Sequence, residues 1–328
     1  MELSIVTTLY DSAPTLRAFH ARVSAAAQSL TSDYEIVMVD DGSPDESLAI
    51  ALDILGDDPC VRVVELSRNF GHHRAIMTGL DHARGDLVFL IDCDLEEEPE
   101  WLPRFHDRLV ATDADCVFGQ QVQRKGGWFE SLSGSLFYRV FNALSSTRIP
   151  ENLLTVRLMR HRFVRALVAH REREICLAGL LALTGFRQEA ISVTKGDKGR
   201  STYDLRRKVD LALRAITSFS DRPLELVAGL GFGLLILSGL AMASMFARKL
   251  FLGVDVPGYA SLMVSVWFLG GVTLFAVGLI GLYVARVFVE VKQRPYALIR
   301  AIHEHQSDEA IDTITRATAE LVAEGDAR

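Results

Sequence analysis

The chain has 328 residues, of which 49% are hydrophobic and 23% charged, and its formal net charge at pH 7 is −7. The negative charge argues against a nucleic-acid partner, and the length allows one soluble domain of about 200 residues plus a sizeable remainder. The four cysteines form no Cys-x-x-Cys pair and no zinc-binding spacing, which is typical of free thiols in a reducing compartment. We therefore expect no disulfide bonds.

The first third of the chain predicts alternating strands and helices. Apolar, β-branched runs predict strands at residues 3–9, 35–39, 61–66 and 87–91, with helices at 14–29, 44–55 and 72–83. This alternation predicts an α/β fold with a doubly wound, mostly parallel sheet, whose crossovers bring successive strand ends to one edge. Farther along, helices are expected at 101–110 and 128–144, strands at 115–119 and 188–193, and a strand-compatible apolar run at 177–184.

Carboxylates follow two of the predicted strands. Asp40 and Asp41 end one strand, and Asp92 and Asp94 end another. Ligand sites of open α/β sheets lie beyond the carboxyl ends of the strands, so we expect the four acids to converge. In an extended chain Asp92 and Asp94 point the same way, which suits a shared cation or a diphosphate. The alternative is a solvated strand end.

A basic segment broken by glycines lies after the last predicted strand. Its side chains predict an anion-binding loop, although a solvated cationic turn has the same composition. The residues concerned are Lys195, Lys198, Arg200, Ser201 and Tyr203. Residues 204–220 then place apolar side chains at helical spacing, which predicts an amphipathic helix at a membrane surface. Its cationic face carries Arg206, Arg207 and Lys208.

Residues 226–247 and 260–285 contain no charged side chain and predict two transmembrane helices. Buried core helices are the alternative, but these runs are longer and apolar on all sides. Lys and Arg are more frequent before the first run and after the second than between them, and no secretory signal is predicted. We therefore expect a multi-pass protein of the cell inner membrane, with the soluble domain and both termini cytoplasmic. The polar, acidic tail beyond residue 306 predicts a frayed helix or disorder.

Several short motifs occur in a specific order along the chain. They are Val39-Asp40-Asp41-Gly42-Ser43, Asn69-Phe70-Gly71, Asp92-Cys93-Asp94-Leu95, Arg157-Leu158-Met159, Gly199-Arg200-Ser201-Thr202-Tyr203 and Arg294-Pro295-Tyr296. Together they resemble the family 2 glycosyltransferases, specifically the membrane-anchored polyprenyl-phosphate glycosyltransferases related to dolichol-phosphate mannose synthase. The likeness extends through most of the chain.

The resemblance implies a GT-A catalytic domain over residues 1–203, an interfacial helix over 204–223, a two-helix transmembrane hairpin over 224–289 and a tail over 290–328. It implies that Asp92 and Asp94 are catalytic and hold Mg²⁺ or Mn²⁺ on the donor diphosphate, and oxygen ligands suit either cation. The nucleotide-binding residues implied are Thr8, Tyr10, Asp40 and Asp41. Those implied for phosphate or acceptor binding are Arg157 and the five polar residues of the basic segment.

The reaction implied is inverting transfer of a sugar from a nucleotide-diphosphate sugar to a polyprenyl phosphate at the cytoplasmic face. A UDP-hexose is our choice of donor, and GDP-mannose is the alternative. Glycines in the predicted membrane helices allow close packing and a homo-oligomer. Two alternatives are a polysaccharide synthase with a sugar acceptor and a non-catalytic membrane scaffold that binds nucleotide sugars.

The chain departs from the family pattern at two positions. Relatives commonly have Tyr-Asn-Glu where this chain has Tyr10-Asp11-Ser12, and many have an aspartate where this chain has Thr155. The loss of that acid favours the scaffold alternative if a strong base is needed. A phosphate acceptor has a second pKa of about 6 and supplies its own negative charge, so we expect catalysis without a general base.

Overall fold

The structure is a computed structural model that describes residues 1–121, 153–170, 172, 177–194, 222–252 and 258–305. The strands within these ranges are β1 (Leu3–Leu9), β2 (Tyr34–Asp40), β3 (Val61–Leu66), β4 (Leu87–Leu90), β5 (Cys116–Gln121), β6 (Leu153–Arg160), β7 (Gln188–Val193) and β8 (Ile299–Glu304). The α-helices are α1 (Ala13–Gln28), α2 (Ser47–Asp57), α3 (His72–His82), α4 (Leu102–Thr112), α5 (His161–Val168), α6 (Leu177–Leu183), α7 (Arg222–Leu252) and α8 (Tyr259–Val291).

The strands form one mixed sheet in the order β7-β5-β6-β4-β1-β2-β3-β8. The pairs formed by β1, β2, β3 and β4 are parallel, as the alternation of strands and helices predicts. Strand β6 runs antiparallel to both β4 and β5, and β8 runs antiparallel to β3. The prediction of a mostly parallel sheet was therefore too simple, because β6 and β8 enter from the opposite direction.

Helices cover both faces of the sheet, and the alternation of side chains along each strand divides the core into two layers. Ile5 faces a layer built with α1, α2 and α4, whereas the next residue, Val6, faces a layer built with α3, α5 and α6. Helix α3 lies very close to the sheet, since a Cβ on Gly79 would be 2.5 Å from a Val6 methyl carbon. This close packing fixes the N-terminus of α3 relative to the ends of β1 and β2.

The strand-compatible run at residues 177–184 is a helix, so that prediction was wrong. Leu177, Leu180 and Leu181 are buried, and their spacing is that of one face of a helix. The run is short and almost entirely apolar, so its sequence shows no alternation of apolar and polar residues that would distinguish a helix from a strand. The helices predicted at 128–144 and 204–220, the basic segment at 195–203 and the tail beyond 306 lie outside the described residues.

Helices α7 and α8 expose apolar side chains. Within the described ranges, one stretch, Ser265–Val291 of α8, is long and apolar enough to cross a membrane, with mean hydropathy 2.2. In α7 the described apolar stretch, Leu224–Leu234, is shorter. Trp267 and Phe275 of α8 are 80% and 67% exposed, which is unlike a core helix of a soluble protein.

Strand β8 brings the chain back to the sheet after α8. The backbone N–H of Ser67 donates to the carbonyl oxygen of Leu298 at 2.8 Å, and Tyr296 packs against the same core layer as Phe70. The sequence predicted a C-terminal tail over residues 290–328. In the structure, residues 299–304 of that segment form the edge strand of the sheet. Residues 299–304, which follow the apolar helices, are thus part of the α/β domain.

Candidate functional site

The ends of β1, β2 and β4 lie side by side at the carboxyl edge of the sheet, because β1 is the central strand of the three. Leu9 is opposite Asp40 in the register, and the backbone N–H of Asp41 donates to the Leu9 carbonyl at 3.0 Å. On the other side of β1, the Cys93 thiol donates to the carbonyl oxygen of Thr8 at 3.2 Å. The two predicted acidic segments therefore leave the sheet on either side of one strand end.

Asp41 holds the loop that leads into α3. Its two carboxylate oxygens accept the backbone N–H groups of Phe70 at 2.7 Å and Gly71 at 2.9 Å. Burial raises the pKa of Asp41, and these two hydrogen bonds act in the opposite direction. Gly42 makes the approach feasible, since its φ is +63° and a Cβ there would be 2.6 Å from the backbone nitrogen of Asn69.

Asp40 is a buried carboxylate beside a second acid. It is 2% exposed, and its Oδ1 accepts the backbone N–H of Ser43 at 3.3 Å. Burial raises its pKa, and the neighbouring Glu65 adds to the increase. Glu65 is itself paired with Arg300 at 2.7 Å and His303 at 3.2 Å, both from β8. The strand that follows the apolar helices thus offsets negative charge next to the candidate nucleotide site.

Asp92 is connected to β1 through a histidine. Its Oδ1 is 3.5 Å from His72 Nε2, and the other ring nitrogen, Nδ1, is 3.1 Å from the hydroxyl of Thr8. His72 is the first residue of α3 and directly follows Gly71, which is bonded to Asp41. The imidazole therefore lies between the two acidic segments that the sequence predicted to converge.

A tight turn after β4 orients Asp94. The Asp94 Oδ1 accepts the backbone N–H of Glu96 at 3.0 Å, and Leu95 between them has a φ of +62°. A left-handed conformation is uncommon for leucine, and strain of this kind concentrates at functional sites. The side chain of Leu95 packs against the core and holds the turn in place. Asp92 and Asp94 are both partly exposed.

The cysteine between these acids is structural. Cys93 is 4% exposed, and burial raises the pKa of its thiol to about 11. The thiol stays protonated near neutral pH and donates to the Thr8 carbonyl.

Asp92 and Asp94 fit a divalent cation of the hard type. Within the part of the chain that the structure describes, no group of three or more His, Cys, Asp or Glu could hold a metal ion by itself. Mg²⁺ is commonly held by one or two carboxylates together with substrate phosphates and water, and two partly exposed aspartates are a set of oxygen ligands of that kind.

Arg157 lies behind the acidic loop. It is 4% exposed, its Nε donates to the Thr155 carbonyl at 2.9 Å, and one terminal nitrogen donates to the Leu154 carbonyl at 2.9 Å. The pKa of Arg157 is lowered because the side chain is buried, and the nearby carboxylates of Glu97 and Asp92 act in the opposite direction. Contact with an acceptor phosphate remains a prediction for this residue.

The remaining predicted residues divide into two groups. Tyr10 is 53% exposed and Thr8 is half-buried, so both side chains are at the open edge of the sheet. The residues predicted for phosphate binding and membrane contact lie outside the described ranges. They are Lys195, Lys198, Arg200, Ser201, Tyr203, Arg206, Arg207 and Lys208.

Sequence reasoning did not single out two residues at this site, His72 and Glu97. His72 directly follows the Asn69-Phe70-Gly71 motif, and this position next to a recognised motif was the signal that could have identified it. Glu97 follows Asp94 by three residues and is 1% exposed, and no sequence pattern distinguishes it from its neighbours Glu96 and Glu98.

Comparison with protein families and curated proteins gives consistent matches. The model of the family described as "Glycosyl transferase family 2" matches residues 4–167. A Mycobacterium tuberculosis protein whose name assigns it to the glycosyltransferases is 50% identical over 303 residues, covering 92% of this chain and 89% of its own. The bactoprenol glucosyl transferase of Shigella phage SfII is 33% identical over 306 residues, covering 92% of this chain and 99% of its own.

Solved structures show more distant similarity. Mannosyl-3-phosphoglycerate synthase from Rubrobacter xylanophilus is 17% identical, covers 66% of this chain and 73% of its own, and has a TM-score of 0.46. S. aureus TarS 1-349 in complex with UDP-GlcNAc is 18% identical, covers 66% of each chain and has a TM-score of 0.44.

Proposed function

Because the chain belongs to glycosyl transferase family 2, we propose that this glycosyltransferase moves one sugar from a nucleotide-diphosphate donor to a polyprenyl phosphate in the membrane. The observation that carries the proposal is the placement of Asp92 beside His72, two residues before Asp94, at the edge of a sheet whose last strand follows an apolar helix. The phage relative supports the acceptor, since its name specifies bactoprenol and its similarity covers 99% of its length.

We propose a UDP-hexose as the donor. Tyr10 and Thr8 are available at the open edge of the sheet for the nucleoside, and Asp40 and Asp41 shape the loops around it. The relatives named glucosyl transferases support a hexose. Asp92 and Asp94 would hold Mg²⁺ or Mn²⁺, which when bound would offset charge on the departing diphosphate.

The acceptor phosphate supplies the nucleophile. Its second pKa of about 6 leaves it largely ionised at neutral pH, so Thr155 in place of a carboxylate is compatible with activity. A phosphate oxygen attacks the anomeric carbon, the bond from that carbon to the donor diphosphate breaks, and the nucleoside diphosphate leaves with the bonding electron pair. Single displacement inverts the anomeric configuration. Arg157 and the residues of the basic segment are proposed to bind the acceptor phosphate.

The acceptor tail requires the site to lie at a membrane. The exposed apolar surface of α8 supports one span, and the uncharged sequence of residues 226–247 within α7 supports a second. We propose a two-helix hairpin with the catalytic domain and both termini in the cytoplasm, and an amphipathic helix with Arg206, Arg207 and Lys208 at the head groups. Close packing through glycines of the hairpin would allow a homo-oligomer.

Transfer of radiolabel into organic-extractable lipid tests the proposal. The purified full chain is incubated with Mn²⁺, undecaprenyl phosphate and labelled UDP-glucose, UDP-galactose, GDP-mannose or a dTDP-hexose. We expect organic-phase label that depends on the added acceptor and is greatest with a UDP-hexose. Absence of label with every donor would overturn the proposal, and binding without transfer would favour the scaffold alternative.

A further inference from the structure

Strand β8 enters the sheet at the edge that carries the candidate site. It is antiparallel to β3, with Ile299 opposite Leu66 and Glu304 opposite Arg62, so its first residue lies beside the carboxyl end of β3. Helix α8 ends at Val291, and the link from there to Ile299 spans at most about 30 Å when fully extended. The apolar helix is therefore joined to the sheet on the side of the candidate site.

The loop that follows β3 is attached to β8. The backbone N–H of Ser67 donates to the Leu298 carbonyl at 2.8 Å, and the Ser67 carbonyl accepts a terminal nitrogen of Arg300 at 3.0 Å. The other terminal nitrogen of Arg300 donates to the buried carboxylate of Glu65 at 2.7 Å. One arginine of β8 thus holds the chain on both sides of the last residue of β3.

The far end of the same loop is attached to the candidate nucleotide site. The Asp41 carboxylate accepts the backbone N–H groups of Phe70 at 2.7 Å and Gly71 at 2.9 Å. The next residue, His72, lies 3.5 Å from the Asp92 carboxylate. The loop is therefore held at its start by β8 and at its end by the acidic segment after β2.

Little slack separates these two attachments. Only Arg68 and Asn69 lie between Ser67 and Phe70, and each residue adds only two soft backbone dihedrals. The Arg68 guanidinium carbon also lies 4.4 Å from the centre of the Phe70 ring, a cation–π contact within the loop. A displacement of the loop at β8 is therefore transmitted to the backbone groups that Asp41 binds.

We propose that Arg300 positions the loop of residues 67–71 for donor binding, so that β8 links the apolar helix α8 to the nucleotide site. The guanidinium is bound by Glu65 and Ser67 and acts through the loop, which makes Arg300 a positioning residue. This role rests on the proposed function, because it takes the donor nucleotide to bind at the ends of β1, β2 and β4.

The chain offers a matched control at the opposite end of β8. A terminal nitrogen of Arg84 donates to Glu304 at 2.9 Å. The side chains of Arg84 and Arg300 are 57% and 61% exposed, so the two ion pairs are exposed to water to a similar degree on the arginine side. Arg84→Gln loosens β8 at the edge away from the site, whereas Arg300→Gln loosens it at the loop.

His303→Gln separates the charge of Glu65 from the attachment of the loop. It removes the other partner of Glu65, at 3.2 Å, and leaves the bond from Arg300 to Ser67 in place. Binding of UDP with Mn²⁺ is measured by calorimetry on the wild type and the three full-length variants, alongside thermal unfolding. The lipid-transfer assay then gives KM for the UDP-hexose and for undecaprenyl phosphate.

We expect the dissociation constant for UDP to rise about fivefold or more in Arg300→Gln, and to change by less than about twofold in Arg84→Gln and His303→Gln. KM for the UDP-hexose should rise in Arg300→Gln while KM for the lipid stays at the wild-type value. Arg300→Gln and Arg84→Gln should have similar unfolding temperatures, because a general loss of stability is not the cause.

Wild-type UDP binding by Arg300→Gln would overturn the inference. Equal weakening in Arg84→Gln or His303→Gln would overturn it as well, because β8 would then contribute only stability, or only charge at Glu65. A wild type that binds no UDP would contradict both this role and the proposed function. Because binding is read without an acceptor, absence of lipid transfer alone contradicts the proposed function and not the role of Arg300.

Discussion

The imidazole of His72 bridges two strand ends, with Nε2 at 3.5 Å from Asp92 Oδ1 and Nδ1 at 3.1 Å from the Thr8 hydroxyl. Removing the ring breaks the link that runs from the Thr8 hydroxyl through the imidazole to the Asp92 carboxylate. We predict that His72→Ala weakens UDP binding and sugar transfer by about tenfold, as expected for a group within a polar network. His73→Ala is the matched control, since His73 is the adjacent exposed histidine. Equal effects of the two substitutions would contradict a specific role for His72.

Asp40→Asn tests the cost of a buried charge beside Glu65. Burial raises the pKa of Asp40, so between the ordinary carboxyl pKa and the raised value this group binds more protons in the folded chain than in the unfolded chain. The contribution of this group to stability therefore falls as pH rises from the ordinary carboxyl pKa through the raised value. We predict that Asp40→Asn is as stable as the wild type or more stable at pH 7.5, and that its advantage shrinks toward pH 4. Thermal unfolding across this range measures both effects.

Asp41→Asn should behave differently, although the residues are adjacent. Both oxygens of Asp41 accept backbone N–H groups, from Phe70 and Gly71. An asparagine has one oxygen, and its NH₂ group would face a second donor. We predict a loss of about 1–3 kcal/mol in the free energy of unfolding at neutral pH. Denaturant titration gives this value, and an effect no larger than that of Asp40→Asn would show that the two bonds are not needed.

Gly42→Ala should destabilise the loop that carries Asp41. The new Cβ would be 2.6 Å from the Asn69 backbone nitrogen, and φ is +63°. We predict a loss of at least about 1–2 kcal/mol, since alanine tolerates the left-handed region poorly. Gly56→Ala in α2 is the control. Among the described residues, no atom outside its chain neighbours and the backbone of its own helix lies within 4 Å of the new Cβ, and we expect it to stabilise by about 0.5–1 kcal/mol. Equal free energies of unfolding for the two variants would contradict the described loop.

Thiol reactivity tests the packing around the acidic loop. Burial raises the pKa of Cys93 to about 11 and that of Cys116 to about 12. Cys60 is only partly buried, so we predict that iodoacetamide at pH 8 modifies Cys60 well before Cys93 or Cys116. Peptide mass spectrometry resolves the individual sites. Rapid modification of Cys93 would show that the loop after β4 is open.

The strands that carry the site could be predicted from the sequence because their signal is local. Each of β1 to β4 is a short apolar run, and the acids at the ends of β2 and β4 are visible as sharp changes in polarity. Shared placement at one edge then follows from the parallel arrangement. The contact between His72 and Asp92 was not predictable in this way, because the two residues belong to different elements and meet only in the folded chain.

Long-range pairing accounts for the other differences. Strand β8 alternates weakly and is partly exposed, and the bond from Arg300 to Ser67 joins residues 233 positions apart. Nothing local in residues 299–304 indicates the strand against which they pair. The motif containing Arg157 was recognised, but its pattern does not show that the guanidinium donates to the carbonyls of Thr155 and Leu154 in the same strand.

Mass spectrometry of the lipid product tests the central claim most directly. The full chain is incubated with UDP-glucose, Mn²⁺ and undecaprenyl phosphate, and Asp94→Asn is compared with Asp113→Asn, an exposed acid with the same sequence spacing to a second aspartate. We predict a product with the mass of the polyprenyl phosphate plus one hexose. The wild type and Asp113→Asn should form it at similar rates, and Asp94→Asn at least about 100-fold more slowly. A ladder of added sugars, or equal product from Asp94→Asn, would contradict the account.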